Sequence, residues 1–183
     1  MKATPTALAG VLVLEPKVFG DERGFFLESF NQKTFDAAVG TSVTFVQDNH
    51  SRSRKGVLRG MHLQAPPHGQ GKLVRVTRGR IFDAAADVRR SSPTFGRWVG
   101  VELSSDDHRQ LWIPPGFAHG FVVLSDDADV LYKTTTHYAP ESELTLRWND
   151  PELAIEWPDA GVPFALSDRD ARAPLLSERP DIP

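Results

Sequence analysis

The sequence contains no cysteine. That absence excludes disulfides, thiolate metal sites and a cysteine nucleophile together. It fits a reducing cytoplasm, which is the expected location. Long hydrophobic runs are also missing: nothing approaches the ~20 apolar residues of a membrane-crossing helix. The apolar stretch from Ala7 to Leu14 is interrupted by Gly10 and closed by Glu15-Pro16, which is too brief for a secretory leader. An excess of one charge is absent as well. A net charge of −3 over 183 residues gives no general attraction to nucleic acid or to an anionic membrane. There is no internal repeat and no low-complexity linker.

What is present describes an ordinary globular chain, 40% hydrophobic and 25% charged, long enough for one substantial core. Strand signals dominate. Val11 to Leu14, Lys72 to Thr77, Arg80 to Asp87, Trp98 to Ser104, Gln110 to Ile113, Phe121 to Leu124 and Asp129 to Thr135 read as strands. Arg78-Gly79-Arg80 reads as a hairpin turn; Pro114-Pro115-Gly116 and Ser125-Asp126-Asp127 read as breakers. One helix is predicted, capped by Asn31, carrying Phe35 and Val39 on one face, and ended by Gly40. Many short strands with regular turns predict an all-β sandwich or barrel of the jelly-roll type. The expected organisation is one domain over residues 1–183. A jelly roll with an N-terminal extension fills about 1–150, and a proline-studded extended or helical tail over about 151–183 lies on the barrel.

Two of the six histidines stand out by context. His62 lies in Leu58-Arg59-Gly60-Met61-His62-Leu63-Gln64, and His119 follows the rigid Pro114-Pro115-Gly116 turn. On a strand, Gly60, His62 and Gln64 share one face, and Arg59 takes the other unless a bulge intervenes. The glycines beside both histidines predict close approach of a ligand to the backbone. A metal site on a barrel wall would want His-x-His; Gln64 stands at the second position and is a poor ligand, so no metal is expected. A histidine in such a wall is either a hydrogen-bonded core residue or a base, and sequence alone leaves both open.

A metal-free histidine can remove a carbon-bound proton when a neighbouring carbonyl acidifies it. It then needs an orienting carboxylate, a cation for the enolate oxygen and an acid on the opposite face. Lys72 and Tyr132 are available as cation and acid, and Asp83, Asp168 and Asp170 as carboxylates; a solvated lysine and a packing tyrosine are the plainer readings. For an anionic ligand, Arg23 and Arg59 are flanked by glycine and apolar residues and suit a phosphate. Arg52, Arg54 and Lys55 read as solvated loop charges.

The ordered set of motifs resembles the dTDP-4-dehydrorhamnose 3,5-epimerase family. The segments are Gly20-Asp21-Glu22-Arg23-Gly24-Phe25-Phe26 with Glu28, Gln47-Asp48-Asn49-His50-Ser51, and Gly56 to Gln64. They continue through Gln70 to Val74, Ile113 to Phe121, Tyr132-Lys133-Thr134, Tyr138 to Glu143, Trp148 to Pro151 and Leu166 to Asp170. Each is weak alone; together they span nearly the whole chain. The resemblance implies a homodimeric, cupin-type jelly roll without metal or cofactor. The implied reaction turns dTDP-4-keto-6-deoxy-D-glucose into dTDP-4-keto-L-rhamnose. It implies His62 as base, Asp170 as its carboxylate partner (with Asp168 two residues away as the competing assignment), Tyr132 as acid and Lys72 as the cation near the C4 oxygen. It implies Arg23, Glu28, Gln47, Asp48, Asn49, Arg59, His119, Glu143 and Arg169 as nucleotide-sugar contacts, and Tyr138 stacked on thymine. Met61 and Leu63 depart from the leucine and aromatic more common in the family. The rivals are a relative that inverts only C3 or C5, or shifts the ketone, a non-catalytic jelly-roll binding module, and a metal-dependent cupin.

Overall fold

A computed structural model describes residues 1–182. Two antiparallel sheets face each other. The six-stranded sheet has the order β1 (Lys2–Pro5), β2 (Leu12–Glu15), β10 (Gln110–Ile113), β7 (Lys72–Arg78), β12 (Asp127–Thr134) and β5 (Gln47–Arg54). The five-stranded sheet has the order β13 (Glu143–Thr145), β6 (Leu58–Gln64), β11 (Phe117–Val123), β8 (Arg80–Asp87) and β9 (Trp98–Ser104). A separate hairpin joins β3 (Val18–Asp21) to β4 (Gly24–Leu27). This is the expected jelly-roll sandwich.

The core between the sheets is built by alternation. Val74 and Val76 of β7, Ile81 and Ala85 of β8, Phe117 and Phe121 of β11, and Ala128 and Val130 of β12 meet in one buried cluster. The same alternation turns Lys72, Asp83, His119 and Tyr132 inward, so the residues that can do chemistry share the interior with the core. Helix α1 (Gln32–Val39) covers the outer face of the six-stranded sheet through Phe35, which packs on Leu14, Leu73 and Trp112. Asn31 accepts the Thr34 N–H at its start, and Gly40 closes it in the left-handed region at φ 76°. Such an N-cap contributes about 1 kcal/mol.

The structure corrects several local expectations. Arg78-Gly79-Arg80 is not a hairpin: β7 and β8 belong to different sheets, and Gly79 (φ 75°) turns the corner between them. Inward alternation is regular on each side of that corner, at Val74 and Val76 and then at Ile81 and Asp83, so the pattern within either strand cannot tell a corner from a hairpin. The strand expected from Phe121 begins at Phe117. Arg52 and Arg54 lie on strand β5 rather than in a loop, and Arg52 clamps Asp129 through two 2.6 Å bonds. β5 escaped detection because its inward residues Gln47, Asn49, Ser51 and Ser53 are polar, leaving no hydrophobic period to read.

The glycines flanking the histidines serve packing between strands. A two-residue step on β11 (His119 to Phe121) is matched by a three-residue step on β6 (His62 to Arg59), which is a β-bulge. A Cβ on Gly60 would stand 2.5 Å from the Gly120 Cα, and one on Gly120 would stand 2.7 Å from the Met61 Sδ. Bare backbones are what allow β6 and β11 to close at the bulge. The consequence for the site is geometric: the extra residue brings Arg59 onto the same face as His62, which simple alternation forbids.

Beyond Asp150 the chain runs mostly without regular structure across the outside of the five-stranded sheet. Leu153, Ile155, Leu176 and Ile182 are buried there against Met61, Leu63 and Leu146. Its short helix α2 (Asp168–Ala171) is capped by Ser167, whose side chain accepts the Asp170 N–H.

Candidate active site

Two histidine–carboxylate pairs sit side by side in the interior. His62 Nε2 lies 2.6 Å from Asp170 Oδ1, and His119 Nε2 lies 2.7 Å from Asp83 Oδ1. His62 and His119 are register partners across β6 and β11. His62 keeps 29% of its side chain exposed, whereas its partner keeps 5%. Burial pushes the Asp170 carboxyl up, but bonds from His62, Ser167 and the Gly60 backbone together hold it below its usual value. It is therefore a carboxylate that accepts the Nε2 proton, which leaves the His62 Nδ1 lone pair free to take a proton. Asp168, at the other position weighed from sequence, is exposed.

Lys72 is buried at the start of β7, and its Nζ donates to the His62 carbonyl oxygen at 3.3 Å. Burial lowers its pKa to about 8, against the opposing pull of Asp83 and Glu143. His119 is lowered by the same loss of water, despite Asp83, and is neutral near pH 7. Tyr132 is half-buried on the facing sheet; burial raises its pKa above the phenol value, so it holds its proton. A carboxylate-paired imidazole, a buried ammonium and a protonated phenol thus all face the space between the two sheets.

A second group lies beside it. Glu143, register partner of Gln64, accepts from Tyr138 Oη and, at 2.8 Å, from Arg169 Nη1. Burial raises the Glu143 carboxyl, and the bonds from Arg169 and Tyr138 outweigh it, so it is held low. Arg169 also donates to Thr145 Oγ1 at 2.7 Å. Arg59 donates to Ser53 Oγ at 3.0 Å on the side of Tyr132. Gln47 Nε2 donates to Asn49 Oδ1 at 2.9 Å, and Asn49 is register partner of Tyr132.

Three of the residues singled out from sequence do not join these groups within the chain. Asp48 alternates to the outer face of the six-stranded sheet and pairs with Lys133 at 2.9 Å. Arg23 pairs with Asp21 at the exposed tip of the β3–β4 hairpin. Glu28 accepts from Asn31 at 3.2 Å. Conversely, Asp83 had been only one of several candidate carboxylates. Its place opposite Val101 and Phe121 in the middle of the sheet is the signal: a fully buried aspartate on an apolar strand needs a partner.

The family model for dTDP-4-dehydrorhamnose 3,5-epimerase matches residues 5–178. The chain belongs to that family. A dTDP-4-dehydrorhamnose 3,5-epimerase of Salmonella typhimurium is 60% identical over 173 residues, 94% of each chain. One from Pseudomonas aeruginosa is 57% identical over 178 residues, 97% of each. Among solved structures, a dTDP-6-deoxy-D-glucose-3,5-epimerase from Legionella pneumophila, in complex with dTDP-4-keto-L-rhamnose, superposes with a TM-score of 0.93 at 53% identity, covering 96% of this chain and 93% of that one. Within the epimerase family, then, this chain turns the two histidine–aspartate pairs, Lys72 and Tyr132 towards the interior between its sheets.

Proposed function

We propose that this chain epimerises dTDP-4-keto-6-deoxy-D-glucose at C3 and C5, giving dTDP-4-keto-L-rhamnose, with no metal or cofactor taking part. The observation that supports this most is the 2.6 Å His62–Asp170 pair beside the buried ammonium of Lys72. The C4 ketone acidifies the protons on C3 and C5. His62 removes one, and the resulting imidazolium is held by the Asp170 carboxylate. Negative charge moves to the C4 oxygen, where Lys72 stabilises it in a site shielded from water. Tyr132 returns a proton to the opposite face, which inverts the carbon; after His62 has released its proton to solvent and Tyr132 has taken one up from it, the same steps at the second carbon complete the reaction. The double epimerase is tested by incubating the enzyme with the 4-keto sugar in deuterated water and locating the label by NMR. Deuterium is expected at both C3 and C5. Label at one carbon alone would assign the narrower reaction, and no label would reject proton abstraction altogether.

The remaining contacts to the nucleotide sugar fall, on this reading, to Gln47, Asn49, Arg59, His119, Glu143 and Arg169, with Tyr138 stacking on the base. The reading extends to a homodimer. The β3–β4 hairpin exposes Phe19, Phe25 and Phe26 at 52%, 64% and 70%, an apolar surface that its own chain leaves uncovered. A second copy covering it would account for the separation of Arg23 and Glu28 from the site of their own chain. Sedimentation equilibrium of the Phe25→Ser, Phe26→Ser double variant is expected to report monomer where the native protein reports dimer. A monomeric native protein would overturn the assembly.

A further inference from the structure

Residues 136–139 carry Tyr138 between β12 and β13 and form neither helix nor strand. Their main chain is held instead by three glutamine side chains. Gln70 Nε2 donates to the Thr136 carbonyl at 2.9 Å. Gln64 Nε2 donates to the His137 carbonyl at 3.3 Å and to the His68 carbonyl at 2.8 Å. The Tyr138 N–H donates to Gln47 Oε1 at 3.1 Å, and the Ala139 N–H to Gln64 Oε1 at 2.9 Å. Gln64 is the centre of this arrangement. It is 4% exposed, it leaves the end of β6 two residues after His62, and it brackets Tyr138 from both sides.

Only a primary amide can do this. The position faces two carbonyl oxygens and one N–H, so it requires two donors and one acceptor on one planar group. A carboxylate offers no donor, and a neutral imidazole offers only one. The residue that excludes a second histidine ligand at this place therefore has a positive task of its own. Tyr138 needs such help: the residue is 53% exposed, and its hydroxyl donates to Glu143 at the edge of the site. An exposed ring on an irregular segment costs conformational entropy when a ligand immobilises it. Fixing the backbone beforehand removes part of that cost.

We propose that Gln64 is a positioning residue for nucleotide binding, acting through Tyr138 by pre-ordering the main chain of residues 137–139. The proposal rests on the reading of Tyr138 as the platform for the base. Gln64→Met removes all three bonds at nearly constant volume. It is expected to raise KM for the nucleotide sugar roughly tenfold, about the effect of one lost hydrogen bond. It should leave kcat within about twofold, since the dyad and Lys72 keep their own partners. The deciding measurement is a double-mutant cycle with Tyr138→Ala. If Gln64 acts through the ring, Gln64→Met adds little to KM once the ring is gone. Full additivity, or a fall in kcat with KM unchanged, would overturn the proposal. If Tyr138→Ala leaves KM at the native value, the base-stacking reading is what fails, and the proposal falls with it. If thermal melts show Gln64→Met to be unfolded, Gln70→Leu, which removes one of the two side-chain bonds to the Thr136 carbonyl and leaves that from Thr134, carries the same cycle with a smaller expected rise in KM.

Discussion

Replacing His62 with asparagine is expected to lower kcat by roughly 10³- to 10⁴-fold, the upper end of what a positioned general base contributes. The fold should survive. His62 is partly exposed, its backbone stays in the β6–β11 and β6–β13 ladders, and asparagine still offers a donor towards Asp170. A melting temperature within a few degrees of native would show this. The loss should appear equally in turnover and in solvent deuterium entering C3 and C5, because both require the same proton abstraction. If the asparagine variant exchanged deuterium at near-native rate while turnover fell, His62 would not be the base.

The second large effect concerns Lys72. Lys72→Met keeps the length of the side chain and removes the charge. Deleting one group that stabilises a developing oxyanion typically costs about 10²- to 10³-fold in kcat, and that is the loss expected. The pH dependence supplies an independent check. Burial lowers the Lys72 pKa to about 8, so the ammonium is present below that pH and lost above it. Because the charged form is the one that stabilises the enolate, kcat/KM of the native enzyme should fall as pH rises through about 8. The methionine variant, already without the cation, should lack that limb. Tyr132, raised by burial, holds its proton through this range and is not a competing source of the limb. A limb that persists unchanged in Lys72→Met would assign it to another group.

Much of the fold was legible from local pattern. The Asn31 cap, the Phe35 face and the Gly40 stop all announce α1, and β8, β9 and β10 have the bounds that their sequences suggest. The misses have physical causes. β5 buries polar residues and so shows no hydrophobic period. The corner at Gly79 keeps inward alternation on both sides and so imitates a hairpin. At the site, His62, Lys72 and Tyr132 were visible as residue types, but their convergence was not. Asp170 meets His62 across 108 residues, and spacing carries no information about such a contact. The bulge at Gly60 was foreseen only as an exception to alternation, yet it decides the side on which Arg59 stands. Gln64 was informative chiefly for what it is not; its three bonds appear only when the loops at 68 and 137–139 are folded onto it.

Ser167 and α2 deliver Asp170 from the far end of the chain, while His62 belongs to a strand formed from its first half. Val57 is bridged to Ala165 just ahead of α2, so the same late segment also laces the beginning of β6. The strands of both sheets, β13 included, all precede residue 150 in the chain, whereas Asp170 follows it. None of the strands of the two sheets therefore contributes the carboxylate of His62. Docking of the segment from Ala165 to Asp170 is what orients that imidazole, which makes proton-exchange activity a readout of whether that segment is in place.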